Sequence, residues 1–253
     1  MPLNIEIWHS DSPYIERVWR SRSEHISAFT SIAVSQLDLV VWKQFGRTYI
    51  SLQGPETQAS RAPVPEDAEF IGILLKAGTY LPQFPVSTLV NTNVVFPEAS
   101  ANAFWLRGSA WHFPNYDNAE TFVERLLRDG SLIRESVVSD VLRGHTPFMS
   151  LRSVQRRFLY ASGLTHRTMQ QIERARQAVV LLQEGLPIVD VTYRLGYFDQ
   201  AHLTKSLKYF IGQTPTQITD RNKAEQLSLL YKTELPLLDY DAVVHRKQQK
   251  EAS

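Results

Sequence analysis

The sequence predicts an α+β chain of two unlike parts: a β-rich N-terminal part with the marks of a barrel, and an all-α C-terminal part. Three observations carry this. Residues 1–110 break into short apolar segments separated by turn signals, with no helical period. From Asn118 onward the apolar residues recur at helical spacing instead. Near the end, Gly196 to Pro215 joins a glycine turn to a short amphipathic helix whose outer face is polar and basic. At 253 residues the chain has room for one large or two medium domains.

In the first part, Ala28 to Val34, Leu37 to Phe45, Thr48 to Leu52 and Phe70 to Leu75 read as strands. Leu37, Leu39 and Val41 alternate with Asp38, Val40 and Trp42, which suits a strand with a buried face. Phe45-Gly46-Arg47 and Gln53-Gly54-Pro55 read as turns. Pro63 and Pro65 make Ser60 to Asp67 a loop or an edge. Many short strands of this kind point to a sandwich or barrel. All five tryptophans (8, 19, 42, 105 and 111) lie here. With Tyr14, Phe29, Tyr49, Phe70, Tyr80, Phe84 and Phe104 they either fill a core or line an apolar pocket. Arg17, Arg20 and Arg22 read as surface charges, the alternative being a grip on an acidic effector.

Phe113 to Asp117 reads as a linker. Asn118 then caps a helix over Ala119 to Arg128, with Phe122, Val123, Leu126 and Leu127 on its buried face and Asp129-Gly130 ending it. This helix packs either on the barrel, on the helical part or on a copy of itself. Glu135 to Leu142 is the next short helix. Ser150 caps another, with Val154, Phe158 and Leu159 inward. Gln170 to Glu184 is longer, buried along Ile172, Ala175, Val179 and Leu182 and ended by Gly185 and Pro187. Ile188 to Leu195 turns Ile188, Val191 and Leu195 inward. After the Gly196 turn, Asp199 caps a helix with Leu203, Leu207 and Phe210 inward, which Gly212 and Pro215 stop. Asp220 to Tyr231 reads as a last helix, followed by a polar tail. The expected division is 1–112 for the β-rich domain, 113–133 for linker and connecting helix, 134–220 for the helical domain and 221–253 for the terminal helix and tail.

Composition narrows the functions. The chain has no cysteine, which removes disulfides, thiolate metal sites and cysteine nucleophiles and suits a reducing cytoplasm. No apolar run reaches the ~18–20 residues of a membrane span, and no basic patch followed by an apolar segment opens the chain. His9 and His25 stand far apart, so neither a metal nor another cofactor is expected. No nucleophile elbow, phosphate loop or dinucleotide fingerprint occurs, which argues against an enzyme; the enzymatic alternative is a β-barrel catalyst with a helical accessory domain. The net charge of +1 divides unevenly. Residues 1–110 hold 8 Lys/Arg against 10 Asp/Glu, and residues 143–220 hold 10 against 5. The basic excess sits on the helical part, as phosphate neutralisation requires.

Gly-Tyr-Phe-Asp-Gln-Ala-His-Leu at 196–203, followed by Gly-Gln-Thr-Pro at 212–215, resembles the second helix-turn-helix of the AraC/XylS family of transcription regulators. Ser150 to Leu164 resembles the end of the family's first unit. The resemblance spans Ser131 to Thr219. It implies two DNA-reading helices joined by a linking helix, after a cupin-like β-barrel that binds an effector or dimerises. Arg143 to Met149, with Pro147 and added bulk, departs from the family pattern and leaves the angle between the first two helices open.

On the first reading helix the resemblance turns Arg152, Gln155 and Arg156 to the groove beside Ser153, with Arg157 on a phosphate or an acidic neighbour. On the second it turns Gln200, Ala201, Thr204 and Lys205 there, with Lys208 on the same basic face. Asp199 is an N-cap or an acceptor from cytosine. His202 either donates to a phosphate or orients the turn. Tyr197 and Phe198 read as turn and core packing. The partners implied are double-stranded DNA, with RNA polymerase, a small-molecule effector and a second copy of the chain as further candidates. The location implied is cytoplasmic, at the nucleoid. A ligand-independent regulator with a purely dimerising N-terminal domain is the alternative.

Overall fold

The computed structural model describes residues 4–24, 27–145 and 148–220. Of the expected helix at Asp220 to Tyr231 only Asp220 is described; the rest of it and the polar tail lie outside the described residues. The chain runs β1 (Asn4–His9), β2 (Ile15–Ser23), β3 (Ser27–Ser31), β4 (Asp38–Gln44), β5 (Arg47–Gln53), β6 (Ser60–Val64), β7 (Ala68–Leu75) and β8 (Thr79–Tyr80). A short α1 (Val86–Leu89) is followed by β9 (Asn93–Val95), β10 (Glu98–Ser100), β11 (Ala103–Leu106) and β12 (Ser109–His112). Then come α2 (Ala119–Arg128), β13 (Ile133–Arg134), α3 (Ser136–Leu142), α4 (Leu151–Ser162), α5 (His166–Gln183), α6 (Ile188–Arg194), α7 (Gln200–Phe210) and α8 (Pro215–Thr219).

Six strands form one antiparallel sheet in the order β1-β2-β7-β4-β5-β9. β3 and β6 form a separate two-stranded ladder, so Pro63 lies on a strand with a free edge, where its missing N–H is tolerated. The predicted alternation in β4 holds: Leu37, Leu39 and Val41 are buried, while Asp38 and Val40 face a cavity between the two sheets. The turn between β4 and β5 puts Phe45 and Gly46 at φ 49° and 75°, the left-handed pair that a tight hairpin demands.

Two local features shape the cavity wall. The pairing of β2 with β7 slips between Ile15 and Arg17, so Ile15 joins Val18 in the core while Arg17 alternates with Trp19 and Ser21 onto the cavity side. On β7, Gly72 lies opposite Trp19. A Cβ there would come within 1.9 Å of the Trp19 indole nitrogen, so only glycine lets the ring lie across the strand. The ring's Nε1 then donates to Asp38 Oδ2 at 2.9 Å.

The aromatics divide between roles. Trp19, Phe29 and Phe70 line the cavity. Phe84, Phe96, Phe104, Phe113, Phe122 and Trp111 make a contiguous ring cluster, which ties α2 to the strands. Trp42 stacks on Tyr49 across the β4–β5 pair at 5.1 Å. Trp8 and Trp105 are exposed, so the tryptophans do not act as one set.

Helix α2 has the predicted bounds and packs against β2, the first of the three options its sequence left open. Its cap differs: the Asn118 side chain makes no helix-capping bond and accepts instead from the Asn115 backbone N–H at 2.8 Å. Helix α5 begins a turn before the predicted Gln170, because Thr165 accepts from the Thr168 N–H and caps it there. Its predicted apolar stripe is buried, and so is Arg176, which the stripe did not include.

The two parts meet along a bonded seam. Ala33 N–H donates to the Phe210 carbonyl at 2.8 Å, and Ala59 N–H donates to the Tyr209 carbonyl at 2.9 Å. Arg176 Nη1 donates to the Ala33 carbonyl at 3.3 Å. At a second place Tyr80 meets Tyr160 edge-on at 5.7 Å, and Gly163 approaches α1 so closely that a Cβ would lie 2.9 Å from the Val86 carbonyl.

Replacement of Gly72 by alanine forces Trp19 off β7 and breaks its bond to Asp38. We expect a loss of about 1–3 kcal/mol, the usual range for overpacking, read by urea denaturation, with a shift in tryptophan emission.

Candidate DNA-binding helices and the cavity at the seam

Helix α4 starts where Ser150 Oγ accepts from the Ser153 N–H at 3.3 Å; the two hydroxyls are also bonded to each other at 2.9 Å. It ends at Gly163, whose φ of 69° needs no Cβ. Phe158, Ala161 and Ser162 are buried. Arg152, Gln155 and Arg156 are exposed at i, i+3 and i+4, one side of the helix. Leu159 continues that side at i+7. It is 44% exposed, so the expectation that it faces inward is corrected, and Val154 is only half-buried. Ser153 is half-buried at the cap. Arg157 takes the acidic neighbour rather than leaving its charge free. Its Nε and Nη2 donate to the two carboxylate oxygens of Glu135, each at 2.8 Å, and this pair raises the guanidinium above its ordinary value. Glu135 also caps α3 by accepting from the Val137 N–H, so the pair ties α3 to α4.

Helix α7 repeats the plan. Asp199 accepts from the His202 N–H at 2.7 Å, the N-cap reading. Leu203, Ser206, Leu207 and Phe210 are buried. Ala201, Lys205 and Lys208 are exposed and Thr204 half-exposed, at i, i+4, i+7 and i+3, with Gln200 exposed at the helix start. The Thr204 hydroxyl donates back to the Gln200 carbonyl at 2.8 Å. His202 orients the turn: its Nδ1 accepts from the Phe198 N–H at 3.4 Å and its ring meets Tyr197 edge-on at 5.2 Å.

Tyr197 is buried as expected, with its hydroxyl 3.2 Å from Ser206 Oγ and the Arg174 guanidinium over its ring at 4.4 Å. Phe198 is not core packing. It is 89% exposed at the leading end of α7, as Leu151 is exposed at the leading end of α4. Sequence reading missed both, because an apolar residue beside a turn carries the same pattern whether it packs inward or projects. The basic excess is also smaller than the count suggested. Of the ten Lys/Arg at 143–220, Arg176 is buried, Arg157 is paired and Arg174 lies on Tyr197.

The cavity between the six-stranded sheet and the β3–β6 ladder holds about 280 Å3. Trp19, Phe29, Val40, Val64 and Phe70 give it an apolar wall. Arg17, Asp38, Glu56 and Arg176 supply charge, and Arg176 comes from α5 of the helical part. Arg17 is therefore not the surface charge its sequence suggested; it is 2% exposed. Burial first, and the Arg176 charge second, lower it to about 10. Arg20 and Arg22 do lie at the surface, paired with Glu6 and with Asp67 and Glu69. Burial raises Asp38 to about 7, against the opposing effects of the Trp19 hydrogen bond and the Arg17 charge. Burial also raises Glu56, whose Oε2 accepts from Ser31 Oγ at 2.6 Å. Among the described residues no group of three or more His, Asp or Glu side chains is placed to hold a metal ion, and no helix is long and apolar enough to cross a membrane.

A family model described as "Helix-turn-helix domain" matches residues 147–221. No curated protein matches the chain. Among solved structures, ToxT from Vibrio cholerae bound to an unsaturated fatty acid is similar over 87% of this chain and 95% of its own, at 9% identity and a TM-score of 0.36. ToxT bound to (E)-4-(8-methylnaphthalen-1-yl)but-3-enoic acid is similar over 87% and 98%, at 10% identity and a TM-score of 0.37.

Arg157→Ala should lower the melting temperature through loss of the Glu135 pair while leaving the salt dependence of DNA binding unchanged; a fall in that slope would instead put Arg157 on a phosphate. Asp38 adds a pH dependence. A carboxyl that holds its proton more tightly when folded stabilises the fold fully below its unfolded value, about 4, and loses that contribution as pH rises through about 7. We expect Asp38→Asn to remove most of this decline, leaving the smaller part due to Glu56. Denaturation midpoints across the window read the difference.

Proposed function

We propose, starting from residues 147–221 as an AraC-type helix-turn-helix domain, that this chain is a sequence-specific transcription regulator that places α4 and α7 in successive major grooves of one duplex. The observation that carries this is the matched pair of exposed faces, Arg152, Gln155 and Arg156 on α4 and Gln200, Ala201, Thr204 and Lys205 on α7. Each helix is capped at its leading end and buried along its opposite side. Arginine pairs with guanine O6 and N7 through two hydrogen bonds, and glutamine pairs with adenine N6 and N7. Leu151 and Phe198 offer apolar contact to thymine methyls at the same leading ends. Lys208, and His202 through its exposed edge, serve the backbone. The linking helix α5 fixes the two units, so that one protein presents both to grooves about 34 Å apart.

The N-terminal part is the sensing part in this reading. Its cavity lies against the helical part and takes one wall residue, Arg176, from it. Occupancy there bears directly on the helix that joins the two DNA-reading units. RNA polymerase and a second copy of the chain are further partners consistent with such a regulator. No catalytic step is assigned to it.

Selection of bound sequences from a random DNA pool at two salt concentrations tests the reading. Two enriched elements about one helical turn apart are expected; binding without enrichment that collapses at higher salt would reject two-groove reading. Arg156→Ala should cost about 1–3 kcal/mol at one base pair and relax specificity there. Uniform weakening on every sequence would make Arg156 a backbone contact.

A further inference from the structure

We infer that the cavity takes a small organic acid with an apolar, ring-sized body and a hydrogen-bond donor next to its acid group, a hydroxy acid or a zwitterion, the acid lying on Arg176 and Arg17 and the donor on Asp38. The inference rests on the sensing role proposed above and names the chemistry of that same site.

Size and wall come first. About 280 Å3 lies at the small end of ligand pockets, which begin near ~300 Å3. Trp19, Phe29 and Phe70 give the space an aromatic lining suited to one ring.

The polar groups then select the head. Arg176 is buried, donates from Nη1 to the Ala33 carbonyl, and its Nε has no hydrogen-bond partner among the described residues. Asp38 accepts from Trp19 through Oδ2, and its buried Oδ1 is likewise without a partner among the described residues. One orphan is a donor and the other an acceptor, and their side chains line one cavity. Buried polar atoms are as a rule hydrogen-bonded, and a buried charge is retained at a cost that apolar packing would avoid. A carboxylate satisfies Arg176 and separates two buried guanidiniums that otherwise repel, which is the second reason that Arg17 lies below its ordinary value. A hydroxyl or ammonium on the adjacent carbon satisfies Asp38. Glu56 lines the cavity too, but its Oε2 is already held by Ser31.

The placement gives the ligand a route to the DNA-reading helices. Arg176 belongs to α5, and the Ala33 carbonyl that it holds belongs to the same residue whose N–H is bonded to Phe210, the last residue of α7. An acid on Arg176 therefore acts on the linking helix without an intermediary.

The full-length protein is titrated by calorimetry and by tryptophan emission with four probes: 3-phenyllactate, L-phenylalanine, 3-phenylpropionate, which lacks the donor, and 2-phenylethanol, which lacks the acid. Binding of 3-phenyllactate or L-phenylalanine is expected, with about tenfold weaker binding of 3-phenylpropionate, the size of one lost charge-assisted hydrogen bond, and none of 2-phenylethanol. Asp38→Asn should erase the gap between 3-phenyllactate and 3-phenylpropionate, and Arg176→Gln should abolish acid binding. Equal affinity for 3-phenyllactate and 3-phenylpropionate in the native chain overturns the donor, equal affinity for 2-phenylethanol overturns the acid, and no binding of any probe at millimolar concentration overturns the whole inference. A chain that selects its DNA motif yet binds no probe rejects this inference and leaves the regulator reading standing.

Discussion

Ala33 is held at both ends of its peptide units by the helical part: its N–H by the end of α7, its carbonyl by Arg176 of α5. The residue lies between β3 and β4, strands that belong to the two opposite walls of the cavity. Wall and seam are therefore one piece of backbone. A shift of the β3–β6 ladder relative to the main sheet must move Ala33, and Ala33 cannot move without straining two bonds to different helices. The second contact, where Gly163 lies against α1 and Tyr160 against Tyr80, holds α4 to the same β-rich part. Both α4 and α7 are thus referenced to the sheet.

The cavity takes its shape from three residues that disobey the simple rules of a strand. Glu16 bulges, which keeps Ile15 in the core at the head of the strand that carries Arg17 into the cavity. Gly72 gives up a side chain so that an indole fits across its strand. Asp38 stands on the cavity side of a strand whose other side is pure core. Each weakens the sheet locally, and local rules are broken in this manner where a site has been built. The opposite side of the sheet, under α2, has no such exceptions and closes on a cluster of aromatic rings.

Much of the helical part was legible in the sequence because its signals are local. Caps at Ser150 and Asp199, glycine stops at Gly196 and Gly212, and apolar stripes at helical spacing each act within a turn or two. The bounds of α2 and the alternation in β4 were legible for the same reason. What escaped depends on partners far away in the chain. For Arg157 an acidic neighbour is one of two readings, but its identity, Glu135, lies 22 residues away. Arg176 sits in a stretch whose basic residues suggest solvent, and its burial follows from Ala33, 143 residues away. Arg17 could be read as a surface charge because its own strand does not tell that the β3–β6 ladder and Arg176 close over that face. Phe198 fails in the other direction, an apolar side chain that no distant partner covers among the described residues.

The arrangement at Arg176 also bears on how such a chain changes over generations. A helical part grafted onto a different β-domain would carry a buried guanidinium into a wall with no carbonyl shaped for it and no facing charge tuned to it. Substitutions in the cavity wall are correspondingly felt in α5, which supplies Arg176 to it. The cavity wall and α5 therefore form one packing unit here, and a change on either side strains the other.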